Sequence, residues 1–139
     1  MAEDVFVRAF VALAVGDDVR RKLADIQAAL RQTYAHVGWV APEIFHVCLA
    51  FMGDIPHAMA GDVAAALDET AARSAPFSFD VVDIGVFGSP RSPRVIWAGI
   101  AECEPMMTLQ KDVSDRIAAL GIELETRPFR PHLTLGRVR

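Results

Sequence analysis

Residues Val5 to Val15 form an apolar run broken only by Arg8, rich in Val, Phe and Ala, and predict a buried strand. Gly16-Asp17-Asp18 then offers a turn and an N-cap. Val19, Leu23, Ile26 and Leu30 follow at helical spacing, with Arg20, Arg21, Lys22 and Asp25 on the other faces. Trp39-Val40 reads as a short extended piece before Pro42, and Phe45 to Met52 as a strand closed by Gly53-Asp54. A second helix is expected from about His57 to Arg73, with Val63, Ala66 and Leu67 as its inner stripe. Ser78 to Val86 and Arg94 to Ile100 read as two strands joined through the turn chemistry of GSPRSP. A third helix fits Pro105 to Leu120, with Gly121 as its C-cap. Short strands at Ile122 to Glu125 and His132 to Val138 complete the set. This order predicts an α+β protein with mainly antiparallel sheet and helices on the outer faces.

A length of 139 residues suits a single domain, and 53% hydrophobic residues allow a real core. The net charge of −4 argues against a broad nucleic-acid-coating face, though not against a small basic pocket. Arg127, Arg130, Arg137 and Arg139 make the C-terminus locally basic. The apolar start lacks the basic opening and cleavage site of a signal peptide, and no stretch has the roughly 18 apolar residues of a membrane span. Cys48 and Cys103 form neither a metal motif nor a disulfide framework. A cytoplasmic protein is the expectation.

Two segments, FHVCL and PHLTL, repeat a pattern 86 positions apart. Side chains at i and i+2 of a strand share a face. His46 and Cys48 therefore point one way, as do His132 and Thr134, while Val47, Leu49, Leu133 and Leu135 point to a core. If the two strands are neighbours, the paired imidazoles suit a phosphodiester. One neutral ring accepts a proton from the attacking oxygen, and one protonated ring donates to the leaving oxygen. Imidazole as a side chain occupies both forms near neutral pH. A threonine hydroxyl can bond a non-bridging oxygen. Arg130, at i−2 from His132, can hold phosphate in a guanidinium fork. The chemistry needs neither metal nor cofactor, and the sequence has no acidic and His cluster to hold a metal.

The other candidates have plainer readings. His36 and His57 read as surface or core histidines, Arg91 and Arg94 as solvated loop charges, and Cys103 as a small hydrophobe. Phe51 and Trp39 read as core or edge aromatics, with stacking on a base as the alternative.

VFVRAFVAL, WVAPEIFHVCLAFMG, GVFGSPRSPRVIWAGI and RPFRPHLTLGRVR together resemble, in order, segments of the 2H phosphoesterases, and within them the RNA 2′,3′-cyclic phosphodiesterases, also called 2′-5′ RNA ligase-like proteins. The resemblance implies one domain over 1–139 made of two pseudo-symmetric lobes, whose two sheets flank a central cleft. It implies metal-independent hydrolysis of RNA or nucleoside 2′,3′-cyclic phosphate to a 2′-phosphomonoester. By the same resemblance His46 is the proton donor and His132 the proton acceptor. Thr134, Arg130 and Cys48 take phosphate-binding positions, and Phe51 a base-stacking one.

Two departures follow. Cys48 stands where the family has Thr or Ser, and a thiol is a weaker donor and a bulkier atom, so reduced activity is expected. The chain also ends at Arg139, where the resemblance implies a further helix or loop and a closing strand. An exposed sheet edge is the corresponding expectation, in a monomer or in a dimer paired through that edge. The alternatives to hydrolysis are a phosphorylated-ligand or RNA-end binding module and a reversible 2′-5′ RNA ligase using the same histidines.

Overall fold

A computed structural model describes residues 5–33, 36–89, 91–125 and 127–139. The first four residues and Pro90 of the GSPRSP turn lie outside them. Strand β1 (Phe6–Ala14) leads into helix α1 (Asp17–Arg31), followed by β2 (Val37–Trp39) and β3 (His46–Pro56). Helix α2 (Ala60–Arg73), the hairpin β4 (Val81–Ser89) and β5 (Ser92–Ile100), helix α3 (Glu104–Ala119) and β6 (His132–Val138) follow. The N-cap of α1 is Gly16, which makes no side-chain cap bond. Asp17 and Asp18 sit instead in the first turn, each paired to an arginine three residues on. Carboxylates there oppose the positive end of the helix dipole.

The α+β class with antiparallel pairing is the one the hydrophobic pattern predicts. Hydrogen bonding links the strands in the order β1-β3-β6-β5-β4, with β2 also on β6. The expected strand at Ile122 to Glu125 does not form. Ile122 is buried while Glu123 and Glu125 are exposed, so the segment alternates like a strand yet pairs with no strand among the described residues. Gly121, at φ 88°, closes α3 in the left-handed conformation that a side chain would strain.

The chain forms two compact units, one of Met1–Ala12, Cys48–Ser78 and Cys103–Arg130, the other of Leu13–Val47, Phe79–Glu102 and Pro131–Arg139. In the first, α2 and α3 are joined by an ion pair between Arg116 and Glu69. In the second, β6 pairs antiparallel with β2 and β5, and with the start of β3 through Val47 and Leu133. Val47, Ala98, Leu133 and Leu135 are fully buried on the back of that unit's strands.

Candidate functional site

Burial fixes which way β6 faces. Leu133 and Leu135 have no exposed surface, so a one-residue slip would carry them to solvent and is strongly disfavoured. His132 and Thr134 therefore occupy the opposite, half-exposed face. Val47 pairs with Leu133, and an antiparallel register through that pair sets His46 level with Thr134. His132 is then the diagonal neighbour of His46 across the two strands. Such diagonals separate residues by roughly 7–8 Å, a gap that admits a phosphate group. His46, His132 and Thr134 all lie in the second unit.

The two imidazoles are held differently. His46 Nδ1 lies 2.8 Å from the carbonyl oxygen of Ile44. A carbonyl only accepts, so Nδ1 carries a proton in either charge state and Nε2 is the nitrogen that can exchange one. His132 packs against Phe87 of β4, the ring centroids 5.0 Å apart and the planes at 90°. Phe87 in turn meets Trp97 of β5 at 5.3 Å. The register pairs Trp97 with Thr134 and Gly99 with His132, which sets these residues on one face. The Trp97 ring lies across Gly85 and Gly99, where added methyl groups would run into it. Its indole N–H is buried with no acceptor among the described residues. An unmade buried donor costs about 1–3 kcal/mol, so packing on the two glycines, not a hydrogen bond, holds the ring in place.

Gln27 of α1 is the polar residue that pattern reading missed. It is 2% exposed, and its Nε2 donates to the carbonyls of Val40, at 2.8 Å, and Leu135, at 2.9 Å. Leu135 is the extra residue where the β5–β6 register shifts, one position past Thr134. Gln27 thus ties a helix to the backbone beside the histidine strand. Its place four residues after Leu23 and three before Leu30, on the apolar stripe of α1, was the available signal.

Cys48, Phe51 and Arg130 belong to the first unit. Cys48 is half-buried, and desolvation pushes its thiol above the ordinary 9.0. Glu125 adds to the rise, and a backbone hydrogen bond at Ala50 opposes it. Phe51 is exposed and carries the Arg8 guanidinium 5.1 Å above its ring centre. Arg130 is exposed on the segment leading into β6. Trp39, the alternative stacking residue, is half-buried with Arg31 over its ring at 5.9 Å.

An antiparallel α+β fold bearing two strand histidines two residues from small polar partners defines the two-histidine class of phosphoesterases. Residues 13–97 match the family model of LigT-like phosphoesterases. An RNA 2′,3′-cyclic phosphodiesterase of Methanothermobacter thermautotrophicus is 33% identical over 133 residues, covering 96% of this chain and 72% of the relative. One of that name from Geobacillus stearothermophilus is 32% identical over 128 residues, covering 92% of this chain and 41% of the longer relative. The crystal structure of TT0787 of Thermus thermophilus has a TM-score of 0.86 at 28% identity, over 95% of this chain and 74% of that one. That of E. coli LigT complexed with 3′-AMP has 0.73 at 28% identity, over 94% and 72%. The chain belongs to the LigT-like phosphoesterase family, and is thereby a cyclic phosphodiesterase, a hydrolase.

Proposed function

We propose that the protein hydrolyses 2′,3′-cyclic phosphates at RNA ends, or on nucleosides, to 2′-phosphomonoesters without a metal ion. His132 acts as base and His46 as acid. The observation that carries this reading is the register: two histidines diagonal across adjacent strands, on the face opposite a fully buried aliphatic layer. Water, deprotonated by His132, attacks phosphorus. The bond from phosphorus to O3′ breaks, and protonated His46 gives its Nε2 proton to that oxygen. One water is consumed, one 3′ hydroxyl and one 2′-phosphate are formed, and proton exchange with solvent resets both rings. The Ile44 carbonyl supports the donor role, because it orients the ring through Nδ1 and assigns the transfer to Nε2. Thr134 offers its hydroxyl to a non-bridging oxygen from the position level with His46, and Arg130 supplies positive charge from the segment before β6.

The test is incubation with a nucleoside 2′,3′-cyclic phosphate in EDTA, with the product isomer identified by chromatography. A 2′-phosphate is expected. A 3′-phosphate reverses the choice of leaving oxygen, and binding without turnover replaces hydrolysis by a ligand-holding role. His46→Ala and His132→Ala should each lower kcat by roughly 10²–10⁴-fold, the usual worth of a positioned acid or base. Full activity in both variants removes the acid–base assignment.

A further inference from the structure

The last side-chain torsion of a histidine is broad, so the plane of its ring is set by what it touches rather than by rotamer preference. The lone pair that takes a proton lies in that plane, and a turned ring aims it elsewhere. For His132 one fixing contact is Phe87, met at a right angle with the ring centroids 5.0 Å apart. An edge-to-face aromatic pair favours its arrangement by roughly two- to twelvefold. Phe87 is itself aimed. The β4–β5 register shifts between Phe87 and Gly88, and Gly88 takes φ 102°, a bulge of the kind that redirects a neighbouring side chain. Trp97 stands beside Phe87 at 5.3 Å, tilted by 37°.

The indole is seated just as closely. A methyl added at Gly85 would overlap its six-membered ring, and one added at Gly99 would lie 3.1 Å from its Cζ3 atom. Glycine weakens a strand interior, so two of them under one ring mark a close approach that the fold keeps despite that cost. The register puts Gly85 opposite Trp97, Trp97 opposite Thr134, and Gly99 opposite His132. All of these residues belong to the second unit, with His132 among them. We infer that Phe87 is a positioning residue for His132, held in turn by Trp97 on the floor made by Gly85 and Gly99. It acts through the imidazole, keeping the ring in the plane from which its nitrogen meets the attacking water. This rests on the reading of His132 as the base. Holding substrate does not use that lone pair, so the effect of Phe87 falls on kcat and leaves KM in place.

Kinetics on a nucleoside 2′,3′-cyclic phosphate and NMR of the imidazole C–H protons test it, with urea unfolding to show that each variant is folded under assay. Phe87→Leu should lower kcat by about five- to tenfold, towards the upper end of what an aromatic pair supplies, with KM unchanged within about twofold. Phe87→Tyr keeps the ring and should keep kcat within about twofold of the unaltered protein. Gly85→Ala displaces the indole and should also lower kcat, but should add little once Phe87 is already Leu, since the two act through one contact. The His132 signals, assigned by their loss in His132→Ala, should move in Phe87→Leu and stay close to their original positions in Phe87→Tyr. An unchanged kcat in Phe87→Leu, or a loss that Phe87→Tyr shares in full, overturns the assignment. A raised KM at constant kcat overturns it too, by putting Phe87 against the substrate. Full additivity of Gly85→Ala and Phe87→Leu overturns the part given to Trp97 and its glycines. If the unaltered protein turns over no cyclic phosphate, the reading of His132 as base fails, and the NMR comparison still decides whether Phe87 sets its ring.

Discussion

Cys48 offers a test of how much a single side-chain atom contributes to an activity. It lies two residues past His46 on β3, where the family resemblance implies Thr or Ser, and its half-buried thiol is pushed above 9.0 by desolvation and by Glu125. The raised value keeps it a neutral thiol at neutral pH, with little nucleophilic thiolate. Such a group donates a weak hydrogen bond at best. Cys48→Thr should raise kcat on a cyclic phosphate by about fivefold, the kinetic equivalent of one hydrogen bond of about 1 kcal/mol. An unchanged or lower rate removes position 48 from phosphate stabilisation. Iodoacetamide, followed at Cys48 by peptide mass spectrometry, should react slowly at pH 7 and faster only as the pH passes 9.0. Rapid labelling at pH 7 would indicate a thiolate and reopen nucleophilic catalysis. That Cys48 shares a face with His46 was legible because strand alternation is local, and its departure from Thr or Ser because the motif resembles the family's. The shift in its acidity was not, because burial and the neighbourhood of Glu125 are set by chain segments 77 positions apart.

At the scale of elements, the histidine strand depends on what packs behind and beside it. The buried run of β6 was readable from alternating Leu133 and Leu135, and its bounds match the expected strand. The register shift beside it was not readable, because the two carbonyls that meet Gln27 come from Val40 and Leu135, the second 108 positions away. In a helix pattern a glutamine counts as polar surface; here it is a second donor to the Leu135 carbonyl, which also accepts the Val40 N–H, and a donor to the Val40 carbonyl. Gln27→Leu keeps nearly the same volume and removes both bonds. It should cost about 1–3 kcal/mol of stability, read as a lower urea midpoint with an unchanged m-value. A midpoint equal to that of the unaltered protein would place the satisfaction of these carbonyls elsewhere. The failed strand at Ile122 to Glu125 teaches the converse. Alternation reports which side chains are buried, whereas pairing needs a second strand that only the whole fold supplies.

For the whole molecule the governing number is charge. Fourteen Lys and Arg stand against 18 Asp and Glu, so a polyanion approaching at random meets net repulsion. Attraction must then be local, confined to surfaces where a cation lies among rings, as Arg8 does beside Phe51. A long RNA should therefore gain from the few nucleotides held at such a surface, and little from the rest, which meet a protein of net negative charge. The pattern of charge thus distinguishes an end-binding enzyme from a coating protein, whose affinity grows with every added stretch of backbone. Anisotropy with single-ended oligomers of increasing length should show affinity rising from the mononucleotide to a short oligomer and then levelling, with less than about a twofold further gain out to about 20 nucleotides. A steady rise with length would mean that the strand is held by diffuse charge over the protein's surface, and recognition confined to the RNA end would be excluded.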